Sequence, residues 1–95
     1  MAFGHVLEFP GGNMSLYDAV TAELGIHDNV GWPDALIAHA AGATSDGFVV
    51  IEWWESADAW NEFFTTTLQP AFAKVGNIPQ PTVTEFETNN THIRD

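Results

Sequence analysis

The chain has 95 residues, and its thirteen acidic side chains against only two basic ones give a formal net charge of −11. Nucleic acids and anionic membranes are bound by clustered Lys and Arg, so this composition excludes both as expected partners. The chain has no cysteine, which rules out disulfides, thiolate nucleophiles and zinc–thiolate sites. Hydrophobic residues make up 45% of the chain, as in ordinary globular proteins, and we expect residues 1–95 to form a single domain.

The first half of the chain predicts a strand, a helix and a second strand. Residues 3–9 alternate in the period-two pattern of a strand. Ser15 is expected to cap a helix that ends at Gly25. The turn-rich segment 27–33 is predicted to lie on the surface and to lead into a strand over Leu36–Ala43. The apolar positions of the helix are Leu16, Ala19, Val20 and Leu24.

The second half predicts a hairpin, a helix and a last strand. The Asp-Gly pair at 46–47 favours a tight turn, which makes residues 48–55 the antiparallel partner of the second strand. Ser56 is expected to cap the second helix, and Pro70 must kink or restart it because its ring removes a hydrogen-bond donor. Residues 82–88 are β-branched and alternating, as in a strand. The apolar stripe of the second helix consists of Trp60, Phe64, Leu68, Phe72 and Val75.

This order of elements predicts an α+β fold, a ferredoxin-like βαββαβ arrangement with an antiparallel sheet and both helices on one face. Two helices cover only one side of four strands, whereas the third strand is apolar on both of its faces. The other face would expose a large apolar patch in a monomer. A second copy of the same chain is the simplest cover, so we expect a homodimer.

The sequence carries no recognisable targeting or membrane segment. Its first residues lack the basic region and the continuous apolar run of a signal peptide. No stretch approaches the roughly 20 apolar residues of a membrane span. We therefore expect a cytoplasmic protein.

Three polar residues in apolar strands are candidates for a functional site. His39 lies within the small apolar run 37–41, so its imidazole needs a hydrogen-bond partner, and we predict it as the catalytic acid or base. His5 is predicted to approach the same cavity as a ligand-binding residue, and so is Glu52, with a pKa raised by burial. The alternatives are structural: a satisfied core or interface position for His39, a partly exposed strand end for His5, and a paired carboxylate for Glu52.

Aromatic side chains supply the other predicted ligand contacts. Aromatic residues at helical spacing are also typical of an ordinary core, so a ligand cage and a packed core stay alternative interpretations. The histidines show no paired spacing, and we predict no metal site. No glycine-rich phosphate loop is present either. The predicted aromatic contacts are Trp53, Trp54, Trp60 and Phe64.

Several short motifs are spread over nearly the whole chain. They are Glu8-Phe9-Pro10-Gly11-Gly12, Ala35-Leu36 followed by His39, Asp46-Gly47, Trp54-Glu55-Ser56 running into Trp60 and Phe63, and Pro70 followed by Gly76. Together they resemble the dimeric α/β-barrel proteins of the antibiotic-biosynthesis-monooxygenase type. The Trp-Glu-Ser junction is the most characteristic of them, and it marks a turn from strand to helix.

The resemblance implies a homodimeric α/β barrel that binds a small hydrophobic or aromatic molecule. In some members of that family the molecule is oxidised with oxygen and without metal or flavin, whereas other members have no known activity. In the similar haem-degrading branch an axial histidine follows the Trp of the junction, and Ala73 stands at that position here. The resemblance therefore implies no haem, and we expect no cofactor.

Two hypotheses about function follow. The first is a homodimer that binds a small hydrophobic or aromatic molecule, or oxidises it as a cofactor-independent monooxygenase, in a cavity lined by aromatic side chains with His39 as the leading polar group. The second is a non-catalytic structural or interaction dimer whose histidines are structural and whose inner space is filled by Trp and Phe side chains. The sequence leaves open whether the protein is an enzyme.

Overall fold

The computed structural model describes residues 2–94. Four strands and three helices follow one another along the chain, and a π-helical turn at Phe64–Leu68 joins the second and third helices. In chain order the elements are β1 (Phe3–Pro10), α1 (Met14–Leu24), β2 (Leu36–Ala43), β3 (Gly47–Trp54), α2 (Ala57–Phe63), α3 (Gln69–Val75) and β4 (Thr82–Glu87). No helix among residues 2–94 has the length and apolar character needed to cross a bilayer.

The four strands form one antiparallel sheet in the order β2-β3-β1-β4. The predicted ferredoxin-like α+β fold is therefore confirmed. The tight turn before β3 is as expected, and β1 lies in the centre of the sheet, as in a ferredoxin-like fold. The strand bounds differ from the prediction by one residue: β1 ends at Pro10, β3 begins at Gly47 and ends at Trp54, and β4 ends at Glu87.

The start of α1 differs from the prediction. The capping residue is Asn13, whose extended backbone lets its side-chain oxygen accept a hydrogen bond from the Leu16 N–H at 3.1 Å. Ser15 lies exposed inside the first turn, so its assignment as the cap is wrong. The helix ends as expected at Gly25, which takes the left-handed conformation.

Helices α2 and α3 form one continuous helical segment that changes its winding before Pro70. Ser56 caps α2 as expected, accepting the Ala59 N–H at 3.1 Å. In the π-helical turn the Gln69 N–H reaches back to the Phe64 carbonyl, and this wider winding ends immediately before Pro70, where a regular helix would meet the ring. Pro70 then lies in the first turn of α3, so the predicted interruption of the regular helix, a kink or a restart, takes the form of a change in winding just before the proline.

The helices cover only one face of the sheet. The core lies between them and that face and contains Phe3, Leu7, Phe9, Val20, Phe48, Val50, Trp54, Trp60, Leu68 and Ala71. The opposite face, which we call the outer face, carries Val6, Ile51, Trp53 and Phe86, all of them partly or largely exposed. The expected uncovered apolar face is therefore present.

Gly47, at the start of β3, is a position where only glycine fits. A Cβ atom there would lie 2.0 Å from the Phe9 carbonyl oxygen, which belongs to the backbone of the paired strand. We expect Gly47→Ala to lower the free energy of unfolding by at least about 1–3 kcal/mol, because the two central strands must move apart. Urea unfolding measures the change.

The control is Gly42→Ala in the neighbouring β2, where an added Cβ meets no atom within 4 Å. This variant should stay within about 0.5 kcal/mol of the parent. Equal losses of stability in both variants would contradict the assigned contact.

Candidate functional site

The candidate site begins as a row of side chains across three neighbouring strands. His5 of β1 lies opposite Glu52 of β3, and Glu52 in turn lies opposite His39 of β2. Side chains at paired positions of an antiparallel sheet point to the same face. Here that face is the one under the helices, so the three polar groups meet inside the protein, and Glu52 is only 4% exposed.

Three N–H groups surround the Glu52 carboxylate. Its Oε1 atom lies 2.8 Å from Nε2 of His5 and accepts the indole N–H of Trp54 at 3.0 Å. Its Oε2 atom lies 2.6 Å from Nδ1 of His39. Each carboxylate oxygen therefore has at least one strong partner, as a buried ionised group requires.

These partners determine the charge of Glu52. Burial acts to raise its pKa, but the hydrogen bonds from His39, His5 and Trp54 outweigh burial and lower the pKa from 4.5 to about 2. The raised pKa expected from the sequence is therefore wrong. Because Glu52 is a carboxylate and accepts only, the two histidines must carry protons on the nitrogens that face it: Nε2 of His5 and Nδ1 of His39.

Tyr17 of α1 extends this network beyond the sheet. Its hydroxyl lies 2.6 Å from Nε2 of His39, the nitrogen that is free to accept a proton when the His39 ring is neutral. Burial, then the charges of Glu52 and Asp18, raise the pKa of Tyr17 above its ordinary value, so the phenol stays protonated at neutral pH. Tyr17, His39 and Glu52 thus form a relay in the order hydroxyl, imidazole, carboxylate, the order found in hydrolase triads.

Trp32 covers the relay from the loop that precedes β2. Its ring centroid lies 4.3 Å from that of His39, with the planes tilted by 36°. The loop holds this position by a tight turn in which Asp28 and Asn29 both have positive φ, and Asn29 accepts the Trp32 indole N–H at 3.2 Å. A segment predicted only as a surface connection therefore supplies an aromatic wall of the site.

A cavity of about 50 Å³ opens beside the relay, between the sheet and the helices. Its polar lining residues are Tyr17, Thr21, His39 and Glu52, and the remaining lining residues are apolar or aromatic. A space of this size holds a few water molecules. The apolar walls are Leu7, Phe9, Val20, Leu24, Trp32, Phe48, Val50, Phe63, Leu68, Phe72 and Ile78.

A larger groove of about 660 Å³ lies next to the cavity, between the α2–α3 segment and β4. We call it the outer groove. It has amide side chains at its rim, from Asn61, Gln69, Asn77 and Gln80, and aromatic side chains from Trp60 and Phe64. The wall that it shares with the cavity consists of Leu7, Phe9, Leu68, Phe72 and Ile78.

The structure brings together most, but not all, of the residues predicted from the sequence. His39, Glu52, His5 and Trp54 belong to one hydrogen-bonded cluster. Trp60 packs edge to face against the fully buried His5 ring at 4.3 Å, so the alternative of a partly exposed strand end for His5 is wrong. Phe64 lies in the outer groove.

Trp53 is separate from the other predicted contacts. It is paired with Gly4 and Ala38 on the outer face, away from the helices and the cavity. A strand alternates its side chains between faces, so adjacent Trp53 and Trp54 cannot both reach one cavity. The strand pattern already contained this information.

Tyr17 and Trp32 were missed in the sequence analysis. Tyr17 falls at helical spacing with Val20, Thr21 and Leu24, all of which line the cavity. The helical period therefore gave a usable signal for Tyr17. Trp32 had none, because its position depends on the loop conformation.

The Nδ1 atom of His5 is buried without a hydrogen-bond partner. The two histidines direct their facing nitrogens at the carboxylate oxygens of Glu52, not at a common centre. Among residues 2–94 no cluster of three or more His, Cys, Asp or Glu side chains is arranged to hold a metal ion.

Comparison with known proteins identifies the fold. No protein-family model and no curated protein matches the chain. Among solved structures it is similar to Rv0793 from Mycobacterium tuberculosis, with a TM-score of 0.71 and 16% identity over 96% of this chain and 98% of that one. It is also similar to SnoaB, a cofactor-independent oxygenase from Streptomyces nogalater, with a TM-score of 0.60 and 13% identity over 95% and 93% of the two chains.

A third similar structure is the ActVA-Orf6 monooxygenase of Streptomyces coelicolor in complex with nanaomycin D. Its TM-score is 0.59, with 16% identity over 99% of this chain and 92% of that one. The chain therefore shares its ferredoxin-like α+β fold with these solved structures. The resemblance inferred from the sequence motifs is confirmed at the level of fold.

The lowered pKa of Glu52 predicts a specific loss of stability in acid. Its folded pKa of about 2 lies below the ordinary 4.5, so the stabilisation is fully present above pH 4.5 and is lost as the pH falls through about 2. The expected contribution at neutral pH is on the order of 3 kcal/mol. Urea unfolding of the parent and of Glu52→Gln should give free energies that converge between about pH 4.5 and 2.

The control is Glu85→Gln, which removes an exposed carboxylate paired with His5 across β1 and β4. It should leave the pH dependence of the parent unchanged. Parallel curves for the parent and Glu52→Gln would show that the Glu52 pKa is not lowered by folding.

Proposed function

We propose that this chain binds a small hydrophobic or aromatic molecule beside His39, and that Tyr17, His39 and Glu52 act on it as an acid–base relay. The proposal rests on one observation: the relay ends at a cavity whose walls are mostly apolar. Both the Tyr17 ring and His39 line that cavity, and nearly all the other walls are apolar. Small-molecule sites are ordinarily lined by many apolar side chains and a few polar groups.

The relay supports proton transfer from a bound molecule. A ligand hydroxyl that hydrogen-bonds to Tyr17 can pass its proton to the Tyr17 oxygen while the Tyr17 proton moves to Nε2 of His39. Glu52 stays ionised and stabilises the imidazolium that forms, because its Oε2 atom lies 2.6 Å from Nδ1. Glu52 also fixes the tautomer that leaves Nε2 free to act as a base.

The size of the cavity sets a condition on binding. An aromatic ring needs a cavity on the order of 150 Å³, and the space beside His39 measures about 50 Å³. Phe72 belongs to both the cavity and the outer groove, is only partly buried, and contacts Phe9 and Phe64 edge to face. Rotation of the Phe72 side chain joins the two spaces, so that one ring of a ligand lies at the relay and the remainder in the outer groove.

The reaction class that we propose is cofactor-independent oxygenation. SnoaB is described as a cofactor-independent oxygenase, and ActVA-Orf6 as a monooxygenase in complex with nanaomycin D. Removal of a proton makes an aromatic ligand electron-rich, which favours its reaction with molecular oxygen. Oxygen is then the co-substrate: one of its atoms enters the aromatic ring, and the ligand itself supplies the two hydrogen atoms and the electrons that reduce the other atom to water, so that a phenol leaves as a quinone.

We also propose that the functional unit is a homodimer of single-domain chains that meet at the outer face of the sheet. Ile51 and Phe86 expose 37% and 42% of their surface there, and Val6 and Trp53 lie between them. An apolar sheet face of this kind is normally covered. A second copy covers it with a surface of matching strand geometry and without charged residues at its centre.

The small cavity favours one alternative, a dimer without catalytic activity. In that case the hydrogen bonds of His39 to Tyr17 and Glu52 serve only to satisfy a buried imidazole. The two functions differ in one observable: the relay hydroxyl should contribute to ligand binding only in the first.

Tyr17→Phe tests the proposed binding role, because it removes one hydroxyl and keeps the ring. With phenol as the probe, we expect binding to weaken about five- to tenfold, the usual effect of one lost hydrogen bond. The indole N–H signal of Trp32 in an NMR titration reports binding, and oxygen consumption with a panel of hydroxylated aromatics reports turnover.

The control for this test is Thr21→Val, which removes a hydroxyl from the same cavity face of α1. The Thr21 hydroxyl donates to the Asp18 carbonyl within the helix, so phenol binding should stay as in the parent. Unchanged binding in Tyr17→Phe would favour the non-catalytic dimer.

Ile51→Lys tests the proposed dimer interface by placing a charge at the centre of the outer face. We expect the parent to sediment as a dimer and this variant to dissociate at protein concentrations where the parent does not. The control is Val30→Lys, the same kind of change at a loop residue that is 72% exposed. A monomeric parent, or equal masses for both variants, would rule out this interface.

A further inference from the structure

The Glu52 carboxylate lines the cavity beside the relay, and among residues 2–94 no Lys or Arg side chain lines it. From this we infer that the site selects uncharged aromatic hydroxyl or amide compounds and rejects carboxylates and phosphates of the same shape. The inference rests on the proposed function and adds to it the charge class of the ligand. It depends on the position of Glu52, on the groups around it, and on the location of the cations of the chain.

Glu52 faces titratable groups from each element that packs against it. They are His5 from β1, His39 from β2 and Tyr17 from α1, with Asp18 close enough to act on Tyr17. When both imidazoles are neutral and the phenol is protonated, the cluster carries one net negative charge, which is that of the Glu52 carboxylate. That charge is buried among apolar walls.

The basic side chains of the chain lie elsewhere. The sequence contains only Lys74 and Arg94. The Lys74 ammonium is paired with Glu23 at 2.9 Å on the surface, with 72% of its side chain exposed, and Arg94 is exposed near the C-terminus. Neither lines the cavity or the outer groove as described for residues 2–94.

Neutral and anionic ligands therefore meet different conditions. A neutral hydroxyl compound enters without adding charge, and if it gives up its proton the proton stays on His39, so the total charge of the site does not change. An anion adds a second negative charge within a few ångströms of Glu52. At the effective dielectric of a protein interior, this repulsion weakens binding at least about tenfold.

The test compares benzamide with benzoate, which have nearly the same shape and differ by one charge at neutral pH. Binding of each to the full chain is followed through the Trp32 indole N–H signal, with phenol as a third probe. We expect benzamide and phenol to bind and benzoate to bind at least about tenfold more weakly than benzamide.

Added salt and two variants identify the charge responsible. The repulsion from Glu52 is buried and should persist in high salt, whereas repulsion from the surface charges would be screened. Glu52→Gln should bring the two dissociation constants closer together. Glu62→Gln, which removes an exposed carboxylate of α2, should leave their ratio unchanged.

The outcomes separate the inference from the proposed function. If benzoate binds as tightly as benzamide, or if salt removes the difference, the inference is wrong while aromatic binding stands. If none of the three probes binds, the proposed function fails and the inference fails with it. Because the salt experiment uses the parent protein, the result does not depend on whether Glu52→Gln folds.

Discussion

The candidate site depends on one interaction, the burial of the Glu52 carboxylate among three N–H donors. Removing a charge from water is costly, and a buried carboxylate persists only where its oxygens are well hydrogen-bonded. Here the donors come from three different strand positions, those of His5, His39 and Trp54. The same bonds fix the tautomer of His39 and with it the direction in which the relay can move a proton. The electrostatics and the chemistry of the site therefore have a common origin.

The register of the sheet makes this interaction possible. His5, Glu52 and His39 meet because they are paired across β1, β3 and β2 and share one face. A shift of one residue in either pairing would turn one of the three side chains to the outer face and leave the carboxylate short of a donor. Gly47 helps to hold the first of these pairings, since the carbonyl of Phe9 approaches it closely. A backbone constraint at one end of the hairpin thus supports the hydrogen bonds at its centre.

Much of the fold was predictable because it follows from local periodicity. The strand alternation assigned His5 and Glu52 each to one face of its strand. The helix ends at Ser56 and Gly25 followed from the local preferences of these two residue types. The cap at Asn13 was missed because both Asn13 and Ser15 are good capping residues, and only the path of the preceding loop decides between them.

The site was less predictable than the fold. The sign of the Glu52 pKa change depends on how many donors converge on the carboxylate, and these come from residues 13 and 47 positions away along the chain and from the residue two positions on. Strand periodicity predicts which face of the sheet a side chain occupies, but not how many hydrogen-bond donors surround it there. Tyr17 was accessible through its helical spacing, whereas Trp32 depends on a loop whose conformation is fixed by two residues of positive φ.

The π-helical turn at Phe64–Leu68 has a consequence for how the cavity can diverge between related proteins. The wider winding takes up one extra residue without adding a full turn, so it sets the angular phase of α3 relative to α2. In this phase Phe72 forms the wall between the cavity and the outer groove. Loss of a single threonine from residues 65–67 would return the segment to regular pitch and keep Phe72 in that place, whereas regular pitch at unchanged length would rotate the small Ala71 towards it. A change in helix winding would then act as a change in the width of the opening between the cavity and the outer groove, without any substitution at the wall itself.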